Sequence, residues 1–131
     1  MIGWQSAIAV LAGGGIGSVL RYAVTFAVSQ RLGPGFPWWT FAINVSGSFV
    51  IGLVAEFTQT RMLAGSPLVR LFLMTGVLGG YTTFSSFSYE TLTLIGDRAV
   101  LLAASYAIGS VALGLIAAFA GVALARAFPF P

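Results

Sequence analysis

The densest chemistry in the chain lies in one segment, T-G-V-L-G-G-Y-T-T-F-S-S-F-S-Y-E, from Thr75 to Glu90. Phe84 and Phe87 are i, i+3 neighbours on a helix, and Ser85 and Ser88 form a second such pair one position round. A phenyl ring carries a positive edge. Ring edges alternating with hydroxyl donors can pass a small anion without a fixed positive charge. Just upstream, Gly79-Gly80 followed by Tyr81-Thr82-Thr83 predicts a break in the helix between Gly79 and Thr83. An unwound turn exposes backbone carbonyls, and these can hold a cation when protein surrounds them. The bland alternative is that Phe faces lipid and Ser packs. It weakens in a run this rich in hydroxyls, because each one placed in hydrocarbon needs a partner.

Other polar residues fall in otherwise apolar surroundings. Asn44 sits in T-F-A-I-N-V-S-G, and Thr40, Asn44, Ser48 and Gly52 follow one another at intervals of four, along one helix face. An amide in mid-membrane is costly unless satisfied, so Asn44 either glues helices or ligates a polar permeant. Gly13 and Gly17 form a G-x-x-x-G pair suited to close helix approach. No Gly-Lys-Ser/Thr follows to make a phosphate loop. Arg21 is either an outward anchor or a positive charge at a water-filled entrance. Tyr106 and Ser110 stand at i, i+4 and can add two hydroxyls to one polar track. Glu90 closes the segment at an interface or a vestibule.

The elements that must position these residues follow from composition. The 131 residues are 58% hydrophobic and only 7% charged, against about 25% charged in soluble domains. The length allows a single domain. Without Cys or His, the chain lacks disulfides, thiolate metal sites and the commonest general base. The basic residues are all Arg and are scattered, giving a net charge of +3 without the patch a nucleic-acid binder needs. Charge-free runs separated by Gly33-Pro34-Gly35-Phe36-Pro37, Gly65-Ser66-Pro67 and Gly96-Asp97 predict four membrane spans, near 3–30, 37–57, 68–95 and 99–126. Trp38 and Trp39 fall where an interfacial aromatic belt belongs. The N-terminus lacks the basic region of a signal peptide and reads as a retained first span.

Four crossings place Arg61, Arg70 and Arg126 on one side and Arg21, Arg31 and Arg98 on the other, three against three. Basic residues near span ends normally set orientation. An even split is either a weak signal that translocation context resolves, or the mark of a chain that inserts both ways and pairs antiparallel. The second reading would achieve with two chains what larger transporters do with inverted repeats.

Together, G-G-x-G-S-x-x-R-Y around Gly14 to Tyr22, the Asn44 segment and G-G-Y-T-T-F-S-S-F-S-Y-E resemble the CrcB/Fluc family of small fluoride channels over nearly the whole chain. The last motif is highly specific and the first two are supporting. The resemblance implies an all-α membrane protein with four transmembrane helices, the third broken near its middle, in an antiparallel dual-topology homodimer with two pores. It implies that Phe84 and Phe87 turn ring edges toward fluoride and that Asn44 lines the pore. Ser85, Ser86, Thr40, Tyr106 and Ser110 would fall on the polar track, with Arg21 and Glu90 near pore entrances. It further implies a structural sodium ion at the dimer interface, held by the backbone carbonyls of Gly79 and Thr82 from both copies. Its partners would be fluoride, an inverted second copy and the bilayer of the cytoplasmic membrane. The chain departs from the family pattern at Tyr81, where Leu is common, at Ser86, where Thr is common, and at Trp39, where Gly is often found.

The absence of His and the scarcity of acids argue for passive conduction over proton coupling. A small proton-coupled drug exporter would share four spans and dual topology, but it needs an embedded carboxylate, ideally in span one, which has none. A non-transporting assembly subunit explains the small-residue faces but not the Phe–hydroxyl ladder. No nucleophile–base pair supports an enzyme.

Overall fold

The structure, a computed structural model, describes residues 3–59 and 66–128. Those residues are mostly helical, with no strand among them. Helix α1 spans Trp4–Ser29, α2 Trp38–Gln59 and α6 Val100–Ala127. Their 26, 22 and 28 residues give about 39, 33 and 42 Å at 1.5 Å per residue. Each therefore exceeds a hydrocarbon core of about 30 Å, and each is apolar enough to cross it.

The region between α2 and α6 is segmented. Helix α3, Pro67–Arg70, starts with Pro67 at its first position and Ser66 accepting the Val69 N–H at 3.4 Å, a favoured pairing at a helix start. A wide π-helical stretch, Leu71–Leu78, and the turn α4, Gly79–Tyr81, continue it. Thr82 (φ −78°, ψ 156°) and Thr83 (φ −150°, ψ 116°) are extended. Helix α5, Phe84–Gly96, follows, with the Thr83 hydroxyl accepting the Ser86 N–H at 3.2 Å as its N-cap.

Glycine contacts fix the directions of the segments. On α1, a Cβ at Gly13 would strike Phe72 and Gly76, and one at Gly17 would strike Val77 and Tyr81. Numbering rises together, so α1 and the 67–81 half run parallel. Between α2 and α6, Phe41 lies by Gly109, Ser48 by Gly114 and Phe49 by Gly121, and Arg126 Nε lies 3.0 Å from Glu56 Oε1, so α2 and α6 also run parallel. Between α2 and the interrupted region the order reverses: Gly47 meets Thr82, while Thr40 meets Glu90. Alternating directions require residues 67–96 to cross as well. The bundle is thin. Tyr106 and Ile43 are its large fully buried side chains, while Leu101, Leu11 and Phe119 stay more than 70% exposed, as lipid-facing side chains do.

Two expectations change. The break falls at Thr82–Thr83, not from Gly79 onward, because Gly79 remains helical (φ −65°, ψ −35°). Gly80 serves close approach instead: a Cβ there would lie 2.5 Å from the Gly14 carbonyl oxygen. Trp38, 42% exposed, packs beside Phe36 with ring centroids 4.3 Å apart and planes tilted 45°, but Trp39 turns inward to Glu90 rather than joining a belt. Arg61, used in the arginine count, and Gly65 of the second joint lie outside the described residues.

Candidate functional site

Asn44 organises the break. Its Nδ2 donates to the Thr83 carbonyl at 3.0 Å, and its Oδ1 accepts the Thr83 N–H at 2.9 Å. In an unbroken helix the Thr83 N–H would close on the Gly79 carbonyl. Diverting it to Asn44 releases that carbonyl from the ladder. The Thr82 N–H and hydroxyl both donate to the Leu78 carbonyl, each at 2.9 Å. Gly47 makes the approach possible, since any Cβ there would collide with the Thr82 methyl. Tyr81 is tied to the same helix, its hydroxyl 2.9 Å from that of Ser46.

The break opens on a groove of about 340 Å³ whose wall includes Asn44, Thr83, Phe84, Phe87 and Ser110. Gly79 and Thr82 also reach it. The Ser110 hydroxyl is buried without a hydrogen-bond partner. Leaving a buried hydroxyl unsatisfied costs about 1–3 kcal/mol, so the groove wall holds a donor ready for a polar occupant. The Phe84 and Phe87 rings stand 5.5 Å apart, tilted 42°. Phe84 is 78% exposed in the single chain, whereas Phe87 lies 5.3 Å from the Tyr106 ring.

Tyr106 leads to a second cluster built on Glu90. Glu90 Oε1 accepts the Thr40 hydroxyl and the Trp39 indole N–H, each at 2.8 Å, and Oε2 accepts the Tyr106 hydroxyl at 2.6 Å. Thr40 is 2% and Tyr106 0% exposed. The carboxylate is thereby satisfied from α2 and α6 together. Of the five hydroxyls expected on a polar track, those of Thr40 and Tyr106 are engaged by it in this arrangement.

The remaining sequence candidates sit elsewhere. The Ser85 and Ser86 hydroxyls lie 3.2 and 3.1 Å from the Thr83 hydroxyl, inside the α5 cap rather than on the groove wall. Arg21 is on α1, which packs on the 67–81 half, and is not part of that wall. Trp39 is the site residue that sequence reasoning missed. Its partner is 51 positions away, and only its inconsistency with a position often filled by Gly marked it.

Among the described residues, no group of three or more acids lies together to hold a metal. A cation at the break would meet neutral oxygens, chiefly the released Gly79 carbonyl and the Thr82 carbonyl of the extended turn. Such a donor set suits a monovalent ion. Two carbonyls from one chain are a partial shell.

The description "CrcB-like protein, Camphor Resistance (CrcB)" belongs to a family whose pattern matches residues 8–122. The chain is 53% identical over 116 residues to the "Fluoride-specific ion channel FluC" of Rhizobium meliloti (strain 1021), covering 88% of this chain and 92% of that protein. It is 52% identical over 117 residues to the "Fluoride-specific ion channel FluC 2" of Nitrobacter hamburgensis, covering 89% and 94%. With a protein of the first name from Thermus thermophilus, identity is 48% over 126 residues, 96% of this chain and 98% of the relative.

Proposed function

The chain belongs to the CrcB family, and from that membership we propose that it conducts fluoride passively through the groove beside the helix break. The observation that carries this reading is the unpartnered Ser110 hydroxyl, buried in the same wall as Asn44, Phe84 and Phe87. It is a channel, not an enzyme, and a multi-pass membrane protein. The exporter reading lacks its carboxylate, since α1 carries no acid, and the assembly-subunit reading gains no support from the relatives, which are named as channels.

Fluoride holds its water tightly, so a pore must offer replacement donors. The Ser110 hydroxyl is free to do so. The Asn44 amide has a second N–H beyond the one given to Thr83. The Phe84 and Phe87 edges follow, and the Thr40 and Tyr106 hydroxyls lie next in line. Ser85 and Ser86 would serve through the cap that fixes Phe84. Arg21 would concentrate anions at a mouth, and Glu90 would stand by the other. Hydrogen fluoride enters cells as a neutral weak acid and dissociates, so a passive pore in the cytoplasmic membrane lowers toxicity by letting the trapped anion leave.

The reading includes a second, inverted copy. Support comes from the even arginine split, from the groove open on the single chain, and from the exposed Phe84 ring. The reading also includes a sodium ion at the dimer interface, which the Gly79 and Thr82 carbonyls of each copy would hold in one shell. It would supply fixed positive charge that holds the two breaks together.

Fluoride efflux from liposomes containing the purified protein, read with an electrode and compared with chloride, tests the function. Selective fluoride efflux is expected. No fluoride efflux, or equal chloride efflux, overturns the reading. Single cysteines placed at either terminus of this cysteine-free chain test the inverted pair. Labelling from both sides is expected, and labelling from one side only removes dual insertion.

A further inference from the structure

The Glu90 cluster has the form of an anion site that already contains an anion. Three donors converge from α2 and α6 on one carboxylate. A hydroxyl carries a single hydrogen. While Glu90 stays in place, neither Thr40 nor Tyr106 can donate to anything else. The cluster adjoins the groove, because Phe87 lines the groove and packs on Tyr106 at 5.3 Å. An anion travelling past Phe87 therefore meets donors already occupied by a tethered competitor.

Trp39 differs from the other two donors. An indole N–H donates only, its ring is rigid, and its bond to Glu90 Oε1 at 2.8 Å is its polar contact in the structure. Resting on the fluoride reading above, we propose that Trp39 is a positioning residue that sets how firmly Glu90 occupies the donor cluster, and so how readily fluoride takes the Thr40 and Tyr106 hydroxyls from it. Removing the N–H leaves the carboxylate with two donors. One charge-assisted hydrogen bond corresponds to roughly ten-fold in such an equilibrium.

The test measures fluoride efflux against fluoride concentration for wild type, Trp39→Phe, Glu90→Gln and the double variant. Trp39→Phe should lower the half-saturating fluoride concentration several-fold, up to about ten-fold. The same change in the Glu90→Gln background should have a much smaller effect, because the neutral amide that then accepts the indole N–H competes only weakly with fluoride. An unchanged half-saturation, or effects that add, overturns the proposal. A wild type that passes no fluoride would instead remove the underlying function. Should Trp39→Phe fail to fold, wild-type protein carrying 15N-indole labels answers the question, with Trp4→Phe and Trp38→Phe assigning the signals. Saturating fluoride, but not chloride, should shift the Trp39 indole N–H resonance. A resonance unmoved by fluoride overturns the proposal without reference to flux.

Discussion

Asn44 and Thr83 exchange two hydrogen bonds, 3.0 and 2.9 Å long, between the middle of α2 and the break before α5. One side chain thus satisfies both backbone groups of the residue at which the ladder is interrupted. Asn44→Leu would strand a donor and an acceptor, each worth about 1–3 kcal/mol when buried. We expect a lower thermal midpoint in detergent and loss of fluoride flux. Asn44→Asp can still accept the Thr83 N–H but cannot return a donor, so its midpoint should fall between wild type and Asn44→Leu. Equal midpoints for all three would show that the pair does not hold the break.

The glycines of α1 divide into two kinds. A Cβ at Gly13 or Gly17 would meet backbone of the 67–81 half, whereas nothing lies within 4 Å of one at Gly15. Backbone cannot swing aside as a side chain can. Gly13→Ala and Gly17→Ala should each cost about 1–3 kcal/mol through overpacking. Gly15→Ala should be neutral or gain about 0.5–1 kcal/mol from helix propensity. Unfolding followed by circular dichroism in detergent separates the three, and destabilisation by Gly15→Ala as large as by Gly17→Ala would contradict the packing.

The legible parts of the fold are those written in local patterns. Charge-free runs and Pro/Gly joints mark α1, α2 and α6, and the small-residue face at Gly13 and Gly17 does pack. The break is legible as an event but not in position. Gly79-Gly80 signals unwinding locally, yet Gly79 stays helical and Gly80 is there for Gly14, on another helix. Thr83 sets the break, through a cap and through Asn44, which lies 39 positions away. The groove side of the site could be read from Phe84, Phe87 and the polar stripe of α2. The Glu90 cluster could not, because Trp39, Thr40, Glu90 and Tyr106 come from three helices and their pairing depends on the antiparallel register of α2 and α5.

Arg98 has φ 61°, a left-handed conformation that disfavours side chains with a Cβ. It ends α5 as a glycine commonly does: the Ala99 N–H reaches the Leu94 carbonyl at 2.9 Å and the Arg98 N–H the Ile95 carbonyl at 3.0 Å, the paired bonds of a Schellman motif. Arg98→Gly should therefore stabilise by up to about 1 kcal/mol. Arg98→Ala, which keeps the Cβ, should not. Equal midpoints for the two variants would show that charge, not strain, governs this position.

Sodium removal tests the carbonyl site separately from the pore. No side chain of Gly79 or Thr82 supplies the proposed oxygens, so the informative variable is the ion itself. Exchanging sodium for a large organic cation by dialysis should lower the thermal midpoint and promote dissociation into single chains on a sizing column. Adding sodium back should restore both. The stabilisation should grow with the logarithm of free sodium above its dissociation constant. A midpoint and elution volume indifferent to sodium would remove the ion from the assembly.

Phe84 and Phe87 separate conduction from stability. Phe84 is largely exposed in the single chain, while Phe87 also packs against Tyr106 at 5.3 Å. Isoleucine has comparable apolar bulk but no electropositive ring edge. An edge contact worth about 1 kcal/mol corresponds to roughly five-fold in rate. Phe84→Ile should therefore cut fluoride flux about five-fold or more while leaving the thermal midpoint near wild type. Phe87→Ile should cut flux similarly and also lower the midpoint, because the Tyr106 contact and the groove wall change together. Flux in liposomes and unfolding in detergent measure the two effects on the same preparations. Wild-type flux in Phe84→Ile with an intact fold would show that the rings serve packing alone.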